Sequence, residues 1–457
     1  MRAAFAPVDI ASLAVFRAAF GAMMVWEVYR YFSKGWIARY YIDPDFHFTY
    51  YGFSWVKPWP GDGMYVHFAV LGLAAAGVMA GLFHRASAVV FFVGFTYVFL
   101  LDQARYLNHF YLISLIAFLL VFLPVHRAFS LDARRRPELQ SDTAPFWALW
   151  LVQAQVGIPY FYGGLAKLNG DWLQAEPIRS WLAARPDFPV IGRYFAEEWM
   201  VLAFAYGGLL LDLLIVPLLL WRRTRPYAFA AGVVFHATNA LLFRIGIFPW
   251  MMMAATTIFF APDWPRRAGL LPAASRTRGR GARAAAPEAA PAFRAATVGV
   301  VFVWVALQLL IPLRHLLYPG NVSWTEEGHR FAWHMKLRDK DARARFVVAD
   351  PDGSTRNVRL GDHLTRLQAS KMAGQPDMIL QFAHHLAREA RAEGRTGVQV
   401  RARVMASLNG REPQLLVDPD VDLAARPRSL RRASWIVPLY QPLPPRSVPH
   451  EQPDTDE

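Results

Sequence analysis

Apolar residues arrive along this chain in blocks of about 17–25, separated by short polar turns, which is the spacing a bilayer imposes on helices that cross it. Nine such blocks are legible: Ile10–Tyr31, Met64–Phe83, Ala86–Leu101, Asn108–Leu123, Pro145–Ala166, Trp199–Trp221, Tyr227–Phe243, Ile247–Ala261 and Arg294–Leu317. Each predicts a membrane helix. The aromatic, proline-rich stretch after the first block (Phe32–Gly63) predicts an interfacial loop lying on the bilayer. Residues 168–198 read as amphipathic, re-entrant or loop structure, and a tight RIGIFP turn joins the seventh and eighth blocks.

Past Leu317 the pattern changes. HRFAWHMKLR and ARFVVADPDGSTRNVRL alternate as strands, with PDG marking a hairpin, whereas DHLTRLQASKMA and PDMILQFAHHLAREARAEG carry helical periodicity. VQVRARVMASLNGREPQLLVDP reads as a second hairpin turned at Asn409-Gly410. The expected fold class is a polytopic α-helical membrane protein with a C-terminal α+β or β-sandwich-like domain outside the membrane. The expected domains are 1–261 (eight helices), 262–293 (a flexible, basic cytoplasmic linker), 294–317 (the ninth helix), 318–445 (the external domain) and 446–457 (a disordered tail).

Composition supports this class. Hydrophobic residues make up 54% of the 457 and charged ones only 18%, below the quarter or so of a soluble domain. The formal charge of +14 does not call for nucleic acid, because the arginines cluster in the loops after blocks two, four, six and eight. That is the positive-inside pattern, and it orients the N-terminus to the cytoplasm and the C-terminal domain to the periplasm or a lumen. MRAAFAPVDIAS leads into a full-length span with no cleavage site, so no cleavable signal is expected. The chain has no cysteine, which excludes disulfides, thiolate catalysis, Fe–S clusters and cysteine-ligated zinc. No HxxxH or HxH pair falls in the spans, His384-His385 point apart on a helix, and Asp102 and Asp171 look isolated, so no metal is expected. Phosphate-binding glycine loops and serine-nucleophile elbows are likewise missing from the sequence.

Three polar features fall on the external side of different spans: Asn108-His109, Lys167 in YFYGGLAKLNGDW, and His236 with Asn239. A lysine costs about 2.5–3.5 kcal/mol at a bilayer centre on insertion scales, so Lys167 either snorkels to the headgroups or is a desolvated amine able to act as a base. Glu27 and Asp212, the main intramembrane carboxylates, do not reach the Lys167 level by the span count. Together with Phe248, Trp250 and Met251–Met253, the features describe an apolar pocket suited to an aromatic ligand such as a quinone.

These residues carry a resemblance. PVDIASLAVFR, YVFLLDQARYLNHFYL, GGLAKLNGDW, GGLLLDLLIVPLLL, FHATNALLFRIGIFPWMMM, NVSWTEEGHRFAWHMKL, VDPDVDL and ASWIVPL follow one another in the order found in the vitamin K-dependent γ-glutamyl carboxylases with an HTTM-type membrane domain. The chain resembles a bacterial member over about residues 7–440. The resemblance implies an enzyme in which a vitamin K hydroquinone (menaquinol-like) is deprotonated and reacts with O2 to give an oxygenated strong base. That base takes a γ-proton from a protein glutamate, CO2 adds, and the quinone leaves as its epoxide. It implies Lys167 as catalytic base, with Asn108 and His109 orienting the hydroquinone. It puts Tyr160, His236, Ile245, Phe248 and Met252 around the cofactor. His315, His329, Trp333 and Met335 fall near the entering glutamyl substrate.

It implies a secreted or periplasmic Glu-containing protein or peptide as partner beside lipid and quinone, while the alanine- and arginine-rich composition without a cleavable signal points to a bacterial inner membrane. Animal members carry two adjacent lysines where this chain has Ala166-Lys167, and a tyrosine where it has His329. The alternatives are a quinone-dependent epoxidase or oxidoreductase that does not carboxylate protein, and a non-enzymatic transporter or scaffold on the same bundle.

Overall fold

The computed structural model describes residues 2–243, 245–273 and 290–444. Each apolar block is helical: α1 (Ala11–Ser33), α2 (Gly63–Ala80), α3 (His84–Leu101), α4 (Asn108–Phe122), α5 (Phe146–Ala166), α6 (Glu198–Leu220), α7 (Arg225–Phe243), α8 (Phe248–Thr256) and α9 (Pro291–Leu310). Among the described residues six helices are long and apolar enough to cross a membrane: α1, α2, α3, α6, α7 and α9 with its extension to Leu317. The apolar helices Asn108–Phe122 and Phe248–Phe259 are shorter. Half of the expected linker, residues 274–289, and all of the expected tail lie outside the described residues.

The first four helices pack in sequence order, α5 pairs with α6, and α7 joins α6 to α8. Close crossings are made by missing side chains. A Cβ at Gly21 in α1 would sit 2.4 Å from the backbone nitrogen of Met79. Arg17, fully buried, donates from Nη1 to the carbonyls of Val78 and Met79 at 2.7 and 2.8 Å, satisfying the open C-terminal end of α2. A short antiparallel pair, β1 (Pro7–Asp9) with β2 (Thr143–Pro145), ties the N-terminus to the start of α5.

The external domain follows the α+β alternative. Its single sheet runs β4-β3-β5-β6, with β3 (Lys340–Ala349), β4 (Thr355–Asn357), β5 (Gln399–Leu408) and β6 (Gln414–Leu415) all antiparallel. Both expected hairpins are present, and Asn409-Gly410 takes positive φ at both residues, as such a two-residue turn requires. Val400, Ala402, Val404, Ala406 and Leu408 form the buried face of β5 and share one core with the apolar stripe of α11 (Pro376–Ala392), which follows α10 (Arg366–Ala373).

Two expectations fail. HRFAWHMKLR is not a strand: Phe331, Trp333 and Lys336 take left-handed backbone conformations, at φ 64°, 59° and 48°. Alternation there reflects side chains wedged into the membrane helices, with Trp333 against Tyr111 (ring centroids 4.9 Å) and Tyr106 Oη accepting from Phe331 N at 2.7 Å. The loop after α1 does not lie wholly on the bilayer either. Phe48 is buried in the external domain's core, and the Phe46 carbonyl accepts from Gln368 Nε2 at 2.7 Å, while Trp55 and Trp59 stay exposed. Phenylalanines in a loop are better buried against a second domain than left at a headgroup surface.

Candidate active site

Where the bundle meets the external domain there is a cavity of about 1220 Å3. It is larger than the roughly 300–1,000 Å3 of common ligand pockets. Ten of the twelve site residues expected from sequence line it: Asn108, His109, Tyr160, Lys167, His236, Ile245, Phe248, Met252, His329 and Met335. The other two stand behind the wall. His315 packs its ring against His334 at 4.8 Å, and Trp333 is buried on Tyr111.

Lys167 caps the C-terminal end of α5, and its chain folds back so that Nζ donates to the Gly163 carbonyl at 3.1 Å. It is only 5% exposed, which rules out snorkelling. Its Nζ lies 2.5 Å from Oδ2 of Asp212, so the expectation that no carboxylate reaches its level is wrong. The span count assumed that α6 starts at the membrane surface. Its first two turns instead run beside the 168–198 segment, where Trp172 Nε1 donates to the Ala205 carbonyl at 2.9 Å. Residues 209–213 of α6 thereby come level with the end of α5.

The two glycines of the GGLAK run make this possible. A Cβ at Gly164 would meet the Leu213 side chain at 2.7 Å and its backbone nitrogen at 2.9 Å, and one at Gly163 would meet Asp212 Oδ2 at 3.2 Å and Met335 Cε at 3.3 Å. Glu27 also lines the cavity, paired with Arg30 at 2.6 Å.

Asn108 is held from both sides. Its Nδ2 donates to the His334 carbonyl at 3.1 Å and its Oδ1 accepts from Tyr106 Oη at 2.9 Å. The His109 ring stacks on Phe248 at 5.7 Å. Tyr160 Oη shares a 2.6 Å hydrogen bond with His236 Nε2 and a 3.2 Å one with Thr256 Oγ1, leaving the buried His236 Nδ1 without a hydrogen-bond partner among the described residues.

The external wall is cationic. Lys336, Arg338, Lys340 and Lys371 line it, with Glu326 among them. Glu326 accepts from Arg338 at 2.6 Å and lies 3.4 Å from Lys340 Nζ. Burial pushes the Lys340 ammonium down to about 8, against the pull of Glu326. His329 stands between Glu326 (3.6 Å) and the Arg338 guanidinium, and burial with those neighbouring cations holds it neutral.

Two residues that looked isolated are joints. Asp171 accepts from Arg411 Nη1 and Nη2 at 2.6 and 2.7 Å and from Asn409 Nδ2 at 2.7 Å, four residues from Lys167. Asp102 accepts from Gln368 Nε2 at 3.0 Å. A lone acid in an apolar helix, as in GGLLLDLL, was the available signal for Asp212; the Asp171–Arg411 joint has none, since its halves are 240 residues apart.

No solved structure matches the chain. Two family models do: the HTTM domain over residues 5–264, and the lumenal domain of the vitamin K-dependent gamma-carboxylase over residues 293–442. An HTTM bundle whose cavity is closed by a carboxylase lumenal domain identifies this membrane protein as a member of the vitamin K-dependent γ-glutamyl carboxylase family.

Proposed function

We propose that the chain is an integral membrane vitamin K-dependent γ-glutamyl carboxylase, coupling oxygenation of a hydroquinone to its epoxide with proton abstraction from protein glutamate and addition of CO2. One observation carries this: a buried amine–carboxylate pair, Lys167–Asp212, faces the same cavity as Asn108 and His109. The residues fit an aromatic hydroquinone. His109, Phe248 and Met252 offer flat or soft apolar walls, and Lys167 and Asn108 offer polar atoms. The unpartnered His236 Nδ1 supplies one more polar atom on the same cavity.

When bound and oxygenated, the hydroquinone supplies the strong base that the γ-proton requires. The chain's own part is to start and shield that chemistry. Lys167 Nζ takes a hydroxyl proton once its own has moved to Asp212 Oδ2, so the pair works as one proton-holding unit. Asn108, fixed by Tyr106 and the His334 carbonyl, orients the ring, and the His109 imidazole packs along it. Lys340 and Arg338 draw in the substrate carboxylate. The external domain roofs the cavity and keeps out water that would quench a carbanion.

In this reading residues 1–261 and 294–317 form the membrane part and 318–445 the external domain, joined by a cytoplasmic linker. The N-terminus is cytoplasmic, the external domain periplasmic and the membrane a bacterial inner one. The partner is a secreted or periplasmic Glu-containing protein. Purified protein given vitamin K hydroquinone, O2 and labelled CO2 should fix label into a Glu-containing peptide. Epoxide without label would leave the epoxidase alternative; neither product would remove the enzymatic reading.

A further inference from the structure

We propose that the external domain binds one divalent transition-metal ion, with zinc as the type case, through His363, His385 and Glu389. None of the three lines the cavity, so this site is separate from the chemistry above and does not rest on it. His385 and Glu389 stand four residues apart on α11 and therefore on one face of it. The loop before α10 brings in His363 from the other side. His363 Nδ1 lies 3.1 Å from Glu389 Oε2, and His385 Nε2 lies 3.1 Å from Glu389 Oε1. One ligand atom from each residue lies within 4.8 Å of the other two.

A tetrahedral zinc ion with bonds of about 2.0–2.1 Å sets its ligands about 3.3 Å apart. Each imidazole already lies at about that spacing from one oxygen of Glu389, a different oxygen for each. Side-chain rotations within the present 4.8 Å span would bring both imidazoles onto an ion held by that carboxylate. Two histidines and a carboxylate are the donor set that zinc takes in sites keeping a fourth position for water. Side-chain exposures of 24%, 16% and 40% leave that position reachable from solvent.

The rings are held in place. His385 stacks on Phe46 with centroids 4.3 Å apart, and His363 sets its edge to Phe382 at 5.8 Å. An ion here would tie α11 to the loop before α10, and Phe46, from the loop after α1, packs on one of the ligand rings. Its role is a clamp within the external domain, beside the place where the membrane-domain loop packs on it. A search for closely spaced histidine pairs misses the cluster, because its second histidine comes from the loop before α10 and its third donor is a carboxylate.

The test uses the full chain in detergent, without a histidine tag, stripped with chelator and titrated with zinc chloride by calorimetry, with bound metal counted by mass spectrometry. The wild type should bind one equivalent, and zinc should raise its melting temperature. His385→Gln, Glu389→Gln and, in the loop, His363→Gln should each weaken binding at least about tenfold, at the lower end of the effect of losing a ligand-shell partner. His384→Gln, whose imidazole reaches only the Arg426 carbonyl, should bind like the wild type. Failure of the wild type to bind zinc, or equal binding by all three ligand variants, overturns the proposal and leaves a hydrogen-bonded His–Glu–His cluster in its place.

Discussion

Lys167 and Asp212 form a unit, and their variants should behave as one. Either partner removed alone strands a buried polar or charged group, which costs about 3–5 kcal/mol of stability. We expect Lys167→Ala to abolish epoxidation and carboxylation together, and Asp212→Asn to slow both by about 10²–10⁴-fold, the usual worth of a positioned proton acceptor. A Lys167→Met/Asp212→Leu protein should melt nearer the wild type than Lys167→Ala while remaining inactive. Melting curves beside quinone-epoxide assays separate the two effects, and full activity in Lys167→Ala would sink the assignment.

A second residue-scale expectation concerns pH. The Lys340 ammonium, brought down to about 8 by burial, is charged below that pH and neutral above it. If it draws in a carboxylate, KM for an acidic peptide should rise as pH passes through about 8, with kcat less affected. Lys340→Arg, which stays charged, should flatten that rise. The stability sign is opposite to that of a favourable ion pair. Because the folded value is lower than the unfolded one, burial of this ammonium costs stability below pH 8, and the cost fades as pH climbs toward the unfolded value.

At the scale of elements, hydrophobic blocks were enough to find the helices, because burial in lipid or core makes each block apolar throughout. They did not fix how the helices sit against one another. Asp212 was misplaced because residue counting treats every helix as starting at the same plane, whereas α6 starts beside the 168–198 segment. The strand expected over HRFAWHMKLR failed for a related reason. Its alternation is the trace of Phe331 and Trp333 entering the bundle, which no local pattern distinguishes from a pleat. What the glycines do became legible only with their neighbours. Gly164→Ala should push α5 off Leu213, at about 1–3 kcal/mol for overpacking, and should lower activity by loosening the Lys167–Asp212 approach. A Gly164→Ala protein with unchanged melting temperature and rate would contradict the close-crossing argument.

For the whole molecule, the site's composition was largely in the sequence, since ten of the twelve expected residues share one cavity. Its closure was not. The roof is attached through Asp171–Arg411 and Asp102–Gln368, contacts between segments hundreds of residues apart. Asp171→Ala and Arg411→Ala should each lower the melting temperature and raise peptide KM. The double variant should lose less than the sum, by about 0.5–3 kcal/mol in a mutant cycle. Strict additivity would mean that the joint carries no energy.

That roof comes from the final third of the polypeptide. A ribosome that has finished α1 to α8, up to Thr256, has still not made residues 326–340, so the half-built protein presents an open bowl where the cavity will be. In the proposed reaction such a growing chain would hold Lys167 and Asp212 already, but not the cationic wall for the glutamate, nor the His334 carbonyl that fixes Asn108. Coupling the two half-reactions proposed above would then wait on the arrival of the last domain.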